Sequence, residues 1–171
     1  MTFRFTEKVR RRLGIPPSAL AAVPSTVEAT EWHGNVLTLA RRPVYLVTHS
    51  LSLFSVLIPA AGASAPATLA RAIRLHVREA LAREGIAPEA SARILDDAPD
   101  QFCKATDRGV LGSMNDFANM AAWEAHDHNS ADLRLLQHTA DQQINEAPMS
   151  RLGMGSPRAV LRLLLHPRGS S

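Results

Sequence analysis

The chain has 171 residues, of which 46% are hydrophobic, 5% aromatic and 20% charged, with a net charge of +3. This size and composition suit one globular domain, and no apolar run approaches the ~20 residues that a membrane-spanning helix needs. A charge this small does not by itself indicate a nucleic-acid partner, and the single cysteine, Cys103, excludes an intramolecular disulfide. The Ala- and Arg-rich composition and the lack of an apolar signal segment predict a bacterial, cytoplasmic protein.

The first half of the chain predicts strands around one short helix. Residues 2–5, TFRF, alternate as a strand does, and Thr6 precedes a helical EKVRRRL segment. Residues 32–40 and 43–49 are extended runs separated by a turn, and residues 53–60 form a third run. These three runs predict an antiparallel meander.

The second half is mainly helical. The most regular helix follows the AAGASAP loop, and its buried stripe is predicted to be Leu69, Ile73, Val77, Ala80 and Leu81. QFCKAT, residues 101–106, is a candidate strand, and a helix follows from Arg108 to about Ala125 with Leu111, Met114, Ala118, Ala121 and Ala122 inward. Ser130 is expected to cap the next helix, with Leu133, Leu136, Ala140 and Ile144 inward, and Ser156 with Pro157 begins a final helix or strand.

This order of elements predicts an α+β domain. The N-terminal strand and the three-strand meander would form a small, mostly antiparallel sheet with helices packed on one face and a helical C-terminal third. We expect residues 1–125 to be the α+β domain and residues 126–171 to be a helical extension packed on or beside it, within a single-domain protein.

A polar stretch, KATDRGVLGSMNDF at residues 104–117, interrupts the apolar pattern. Thr106 or Asp107 would cap the helix that begins after it. Glycine in a helix interior costs about 1 kcal/mol relative to alanine, and Ser, Asn and Asp are also poor choices there. One side of this helix carries a ridge of four residues: Arg108, Gly112, Asn115 and Asn119.

Two interpretations of this stretch remain open at this point. In the functional one, backbone N–H groups at the helix start hold an anion, Arg108 clamps it, and Gly112 lets a partner approach closely. In the structural one, Asp107 is only a cap, Gly112 only a close crossing with a strand, and Asn115 only a bond to a loop. The clustering of unfavourable residues favours the functional interpretation. The predicted binding residues are Lys104, Thr106, Asp107, Arg108, Gly112, Ser113, Asn115, Asp116 and Asn119, with Trp32 and His49 nearby.

The chain resembles an uncharacterised bacterial domain family, found as a small protein and joined to other domains in plasmid-borne open reading frames. The resemblance covers about residues 1–125 and is carried by the FRFTEKVRRRLGI opening, the hairpin after a Trp, and a K-T-x-R-x-x-L-G-S-M-N-D motif. The matching positions are Lys8, Trp32, the Thr48 to Phe54 turn, Lys104, Thr106, Arg108, Leu111, Gly112, Ser113, Met114, Asn115 and Asp116. It implies no activity, but it implies that the motif marks the family's shared surface.

Arginines offer an alternative surface. They lie near the N-terminus, in a predicted turn and on one side of a helix: Arg10, Arg11 and Arg12, then Arg41 and Arg42, then Arg71, Arg74 and Arg78. In a nucleic-acid-binding protein or nuclease, these arginines would bind phosphates. Alternatively, they only form solvated faces, and the lack of interleaved aromatic residues favours this second interpretation. A nuclease gathers carboxylates around Mg²⁺, and the cluster of Asp96, Asp97 and Asp100 matches no recognised pattern.

Other candidate sites are weaker. His126 and His128, with Glu124 or His138, fit no zinc pattern, so a surface loop is favoured over a metal site. We expect Cys103 to be a packed strand residue.

A hydrolase is also disfavoured. His49 and Ser50 would need an acid such as Asp107 or Asp116, and the chain has no nucleophile elbow, while Ser113 lies inside a helix. Trp32 is expected at the rim of the sheet.

The leading hypothesis is a non-enzymatic binding or regulatory module that recognises a partner protein or an anionic ligand through the Lys104 to Asn119 motif. The alternative is a nucleic-acid-binding protein or nuclease that uses the arginine clusters. Neither hypothesis includes a cofactor or a membrane.

Overall fold

The computed structural model describes residues 1–96, 98–127 and 133–166, and it confirms the α+β class. The strands are β1 (Thr2–Phe5), β2 (Glu31–Leu39), β3 (Arg42–His49), β4 (Ser55–Pro59) and β5 (Gln101–Lys104). The helices are α1 (Glu7–Arg12), α2 (Pro66–Arg83), α3 (Pro88–Ser91), α4 (Arg108–Asp127), α5 (Leu133–Glu146) and α6 (Pro157–Leu165). The final segment is therefore a helix, and Ser156 caps it by accepting a hydrogen bond from the N–H of Ala159. The predicted cap Ser130 lies outside the described residues.

The five strands form one sheet in the order β4-β3-β2-β1-β5. The meander is confirmed, because β2 and β3 pair antiparallel, as do β3 and β4. β1 pairs in parallel with β2 on one side and with β5 on the other. The sheet is mostly antiparallel, and the chain from the QFCK segment returns beside the N-terminal strand.

Helices cover both faces of the sheet, which differs from the expected arrangement with helices on one face. Phe3 and Trp32 point into a core that α1, α2 and α6 complete, whereas Leu46 and Leu57 point into a second core completed by α4 and α5. The reason lies in β3, where VYLV is apolar at consecutive positions, so that both sides of the strand need cover.

The edge of the sheet at β4 is closed by side chains of α5. Asn145 accepts a hydrogen bond from the N–H of Ser55 at 2.8 Å and donates to the carbonyl of Ser55 at 2.7 Å. Asp141 Oδ1 accepts from the N–H of Leu57 at 2.9 Å, and Gln137 donates to the carbonyl of Leu57 at 3.2 Å. We call these three side chains the edge clamp. They satisfy backbone groups that an exposed edge strand would leave open to other chains.

The helices after residue 126 belong to the two cores. Leu136, Ala140 and Ile144 of α5 are buried in the second core, as the apolar spacing predicted. Leu161 and Leu165 of α6 are buried in the first. The predicted stripe of α2 is also confirmed, because all five of its residues are buried.

Candidate functional site

The carboxyl ends of the parallel strands β1 and β5 lie at the same end of the sheet. From there the chain continues to opposite faces of the sheet. After β1 it enters α1, where Val9 packs in the first core. After β5 it enters α4, where Val110 packs in the second core. Such a divergence leaves a crevice outside the carboxyl ends of the strands, the usual place for ligands in open sheets with parallel strands.

A groove of about 620 Å³ occupies this crevice. Arg10 and Arg11 of α1 line one part of it, and Lys104, Ala105 and Leu111 line another. Its position follows from the pairing of β1 with β5, which brings together segments that lie far apart in the sequence. Lys104 of the motif and two of the N-terminal arginines, which the sequence offered as parts of rival sites, therefore line one groove.

The groove carries uncompensated positive charge. Arg11 pairs with Glu7, one turn earlier in α1. Within the described part of the chain, neither Lys104 nor Arg10 has an ion-pair partner, and Arg10 Nε is buried without a hydrogen-bond partner. Ile15 and Leu111 add apolar surface. The groove therefore combines cations with apolar walls, a combination that suits an amphipathic anionic ligand.

The ridge on α4 is exposed to solvent along its whole length, at Arg108, Gly112, Asn115 and Asn119. A methyl group added at Gly112 would meet nothing within 4 Å, so a close crossing with a strand does not explain this glycine. The ridge adjoins the groove at Leu111.

The buried side of α4 is rotated slightly from the predicted one. Val110, Met114, Phe117 and Ala121 are buried, whereas Ala122 is exposed. Val110 and Phe117 were the buried residues that the prediction missed, because the glycines, serine and asparagine around them obscure the apolar period.

Trp123 extends the ridge and was not predicted as a site residue. It lies four positions after Asn119, on the same side of α4, and 71% of it is exposed. The spacing of four positions from Asn119, about one helical turn, was the signal in the sequence that could have identified Trp123. Exposed tryptophans are enriched at protein interfaces.

The start of α4 is occupied by the protein's own carboxylate, which overturns the interpretation that its N–H groups hold an external anion. Asp107 Oδ1 accepts hydrogen bonds from the N–H groups of Gly109 at 2.9 Å and Val110 at 3.0 Å, and Arg151 bonds Oδ2 at 2.8 Å. Partial burial opposes the charge of Asp107, but these N–H groups and Arg151 outweigh it and lower its pKa. Arg108 is exposed beside this cap.

Three other motif residues differ in exposure. Ser113 is buried and donates a hydrogen bond to the carbonyl of Gly109 at 3.1 Å, which is a structural role within the helix. Thr106 and Asp116 are exposed to solvent.

Trp32 and His49 lie in the interior, so the expectation that Trp32 forms the rim of the sheet was wrong. Trp32 is fully buried in the first core and donates to the carbonyl of Ile94 at 3.0 Å. The ring of His49 lies 4.9 Å from it and contacts the hydroxyl of Ser52 at 2.8 Å. Because α4 covers the opposite face, Trp32 does not contribute to the ridge.

The pKa of His49 is lowered to about 4, mainly because burial disfavours the charged ring. The neighbouring hydroxyl of Ser50 donates instead to Glu31 at 2.8 Å. His49 and Ser50 therefore do not form the pair that a hydrolase would need.

A buried polar cluster beneath the segment 21–30 escaped sequence reasoning. Arg4 and Glu31 form an ion pair of 2.7 Å, and neither ring nitrogen of the fully buried His33 has a hydrogen-bond partner among the described residues. Cys103 is buried beside them, as expected of a packed strand residue, and burial raises the pKa of its thiol. The signal in the sequence for this cluster was the recurrence of polar residues at alternate positions of β1 and β2, which places their side chains on one face of the sheet.

The arginines of the alternative surface do not form one patch. Arg74 is held by Asp100 and lies over the ring of Phe3 at 5.9 Å. Arg71 and Arg78 are exposed on the same helix, whereas Arg41 and Arg42 lie at the turn between β2 and β3. Arg10, Arg11 and Arg12 belong to α1.

The weak metal candidate is only partly described. His126 is exposed near the end of α4, and His128 lies outside the described residues, as does Asp97 of the acidic turn. Among the residues that are described, no three His, Cys, Asp or Glu side chains come together as metal ligands. In the same part of the chain, no helix has both the length and the apolarity to cross a membrane.

A family model for a domain of unknown function, DUF6933, matches residues 2–160. The match covers nearly the whole chain, so the protein belongs to this family. It reaches beyond the resemblance seen in the sequence and includes all of α5. No curated protein matches the chain.

Proposed function

We propose that this protein is a non-enzymatic binding module that holds an acidic segment of a partner protein in the groove at the ends of β1 and β5. One observation carries the proposal: Lys104 and Arg10 both line that groove, and neither has an ion-pair partner among the described residues. Acidic side chains of a partner would supply the missing charges, and its apolar side chains would pack against Ile15 and Leu111.

The ridge extends this surface along α4. Gly112 and the asparagines leave room for a partner backbone, and Trp123 provides a large exposed aromatic side chain at the far end. Tryptophan side chains commonly contribute a large share of the binding energy in a protein interface. The proposed partner therefore contacts the groove and the ridge together.

The test uses a fluorescent peptide of about ten residues in which Glu and Leu alternate, because an extended chain presents the two kinds of side chain to opposite sides. We expect saturable binding by fluorescence polarisation at physiological salt. Lys104→Ala with Arg10→Ala should weaken it about tenfold or more. Arg41→Ala with Arg42→Ala removes the same charge away from the groove and should leave the affinity unchanged. Circular dichroism first establishes that both variants are folded.

Equal losses in the two double variants would mean that only net charge matters, and the proposed site would be wrong. Absence of binding by the folded wild type would overturn the proposal for this class of ligand.

A nucleic-acid-binding function is the second candidate, favoured by the exposure of Arg11, Arg12, Arg41 and Arg42. A short DNA duplex replaces the peptide in the same assay. Binding that falls steeply with salt and weakens in both double variants would support this function instead.

The proposed setting is the cytoplasm of a bacterium, with a gene carried on a plasmid or other mobile element. The single cysteine and the family resemblance support this setting.

A further inference from the structure

A second cleft lies at the opposite edge of the sheet, beyond β4. It consists of two adjoining cavities of about 290 and 300 Å³ that share Arg83, His138 and Asp141. α2 supplies one wall and α5 the other, and Arg158 and Arg162 of α6 line one of the cavities. No motif of the sequence pointed to this place.

Asp141 has one oxygen committed to the fold and one directed elsewhere. Oδ1 accepts the N–H of Leu57 at 2.9 Å, whereas Oδ2 lies 3.9 Å from the guanidinium of Arg83, beyond hydrogen-bond distance. Burial raises the pKa of Asp141 to about 8, against the opposing effects of the Leu57 N–H and Arg83. Because Oδ1 is an acceptor, a proton on this carboxyl would reside on Oδ2.

Arg83 has no ion pair within hydrogen-bond distance among the described residues. Within the described residues, Asp141 is the only acidic group that pairs with it. Arg158 and Arg162 differ, because both bind the carboxylate of Glu84, at 2.9 and 3.2 Å. When Asp141 carries its proton, the guanidinium of Arg83 is therefore not neutralised by any described residue.

We propose that this cleft binds a small oxyanion, a carboxylate or a phosphate group, between the guanidinium of Arg83 and the hydroxyl of Asp141. Arg83 would donate two parallel hydrogen bonds to the oxyanion, the geometry in which arginine binds these groups most strongly. Asp141 would donate a third, and His138 lies at the same cavity. Cavities near 300 Å³ are at the small end of ligand pockets, which suits a compact ligand.

The edge clamp does not explain why position 141 is a carboxyl. Gln137 and Asn145 satisfy the backbone of Leu57 and Ser55 with amides, which carry no charge to bury. An amide at position 141 would accept the same N–H bond from Leu57. The carboxyl adds one property that the amides lack: it loses its hydrogen-bond donor and becomes an anion when the pH rises.

Binding should therefore weaken as Asp141 ionises, because a carboxylate there would neutralise Arg83 and repel an oxyanion. Below that range of pH the site is fully competent, because Asp141 then donates a hydrogen bond and does not neutralise Arg83. The charged and titratable groups that face the cleft beside Asp141 are His76, Glu79 and Arg83 of α2, Glu84 directly after that helix, Arg134 and His138 of α5, and Arg158 and Arg162 of α6.

The experiment titrates the full chain separately with acetate and with inorganic phosphate, and it follows the ¹³C-methyl signals of Leu57, which lines the cleft. At about pH 7 we expect saturable shifts with at least one probe, and at about pH 9.5 their loss. Binding of acetate alone would identify the ligand as a carboxylate, and binding of phosphate alone would identify it as a phosphate group. Binding of both would show that the site recognises the oxyanion chemistry that the two probes share. Each of these results supports the proposal.

Two variants and one control assign the binding to the residues. Arg83→Gln should weaken it about tenfold to a hundredfold, the usual effect of losing hydrogen bonds from a charged group. Arg78→Gln changes the same residue type on the same helix, outside this cleft, and should have no effect. Asp141→Asn keeps a donor in place and should bind at both pH values.

No saturable shift with either probe at about pH 7 would overturn the proposal, as would equal losses from the two arginine variants. A pH dependence that persists in Asp141→Asn would exclude Asp141 as its origin. Lys104→Ala and Arg10→Ala should leave these titrations unchanged, which separates this site from the groove.

Discussion

The two edges of the sheet are finished in opposite ways. At β4, three side chains of α5 take the backbone groups of the edge strand, and the residues that do so are buried. At β5, the segment 21–30 contributes one backbone hydrogen bond, from the N–H of Ala21 to the carbonyl of Phe102 at 2.9 Å. This strand is followed by a groove in which Lys104 and Arg10 have no ion-pair partner among the described residues. Substitutions at an edge that is closed by buried polar groups lower the free energy of unfolding. Substitutions at an exposed cationic edge change it little, and such an edge is available for binding.

The largest expected effect on this contrast comes from Asp141→Asn. The raised pKa of Asp141 means that the folded state favours the neutral carboxyl. The stabilising contribution of this neutral carboxyl is complete below the ordinary pKa of an aspartate, and it is lost as the pH rises towards 8. The shift from 3.8 to about 8 corresponds to roughly 6 kcal/mol, an upper limit for the gain of the variant at high pH. Urea denaturation of both proteins from about pH 4 to pH 9 measures it.

The gain should be near zero at about pH 4 and should grow with pH. Asp116→Asn, at an exposed position of α4, is the control and should change stability by less than about 0.5 kcal/mol throughout. A gain that is constant with pH would refute the assignment of the shift to Asp141.

Asn145→Ala should break the clamp at the other end. It leaves the N–H and carbonyl of Ser55 buried without their partners, and we expect a loss of about 2–4 kcal/mol. Lys104→Ala at the opposite edge should change stability by less than about 0.5 kcal/mol. Urea midpoints compare the two variants, and similar losses would contradict the difference between the edges.

Two glycines test the core and the ridge beside the groove. At Gly34 an added methyl carbon would lie 2.6 Å from the buried ring of Phe5, so Gly34→Ala should cost about 1–3 kcal/mol. Gly112 has open space around it, and Gly112→Ala should stabilise the helix by about 1 kcal/mol. If Gly112→Ala were instead destabilising in thermal unfolding, an unrecognised contact at the ridge would be responsible.

The smallest expected effect lies at the turn between β2 and β3, away from both edges. Ala40 and Arg41 have positive φ angles of 47° and 63°, which favour Asn and Gly at these two positions. Ala40→Asn with Arg41→Gly should therefore raise stability by about 0.5–1 kcal/mol. Thermal unfolding measures the change, and a loss of stability would show that the native side chains make compensating contacts.

Local patterns in the sequence predicted several features correctly. The apolar spacing of α2 identified its buried face, and the extended runs identified the meander, because both signals arise from neighbours in the chain. The sequence offered Thr106 or Asp107 as the cap of α4, and Asp107 is the one that accepts hydrogen bonds from two N–H groups there. The same reasoning placed Trp32 at the rim, because alternation in β2 does not reveal that a helix covers its side of the sheet.

The candidate sites were less predictable than the elements. Lys104 and Arg10 were assigned to rival surfaces, and only the parallel pairing of β1 with β5 brings them into one groove. The cleft at Asp141 had no signal, since Arg83 and Asp141 belong to different helices on different faces of the sheet. Contacts between distant segments depend on strand order and helix packing, which a local pattern does not encode.

The sequence by itself determined the α+β class, the positions of most helices and strands, and the exposed polar ridge on α4, because hydrophobic periodicity and capping act over a few residues. Only the tertiary structure decided that the sheet is covered on both faces, that Lys104 meets Arg10, and that Asp141 is buried beside Arg83. These features arise when distant segments share one core, where burial and charge depend on neighbours that are remote in the chain.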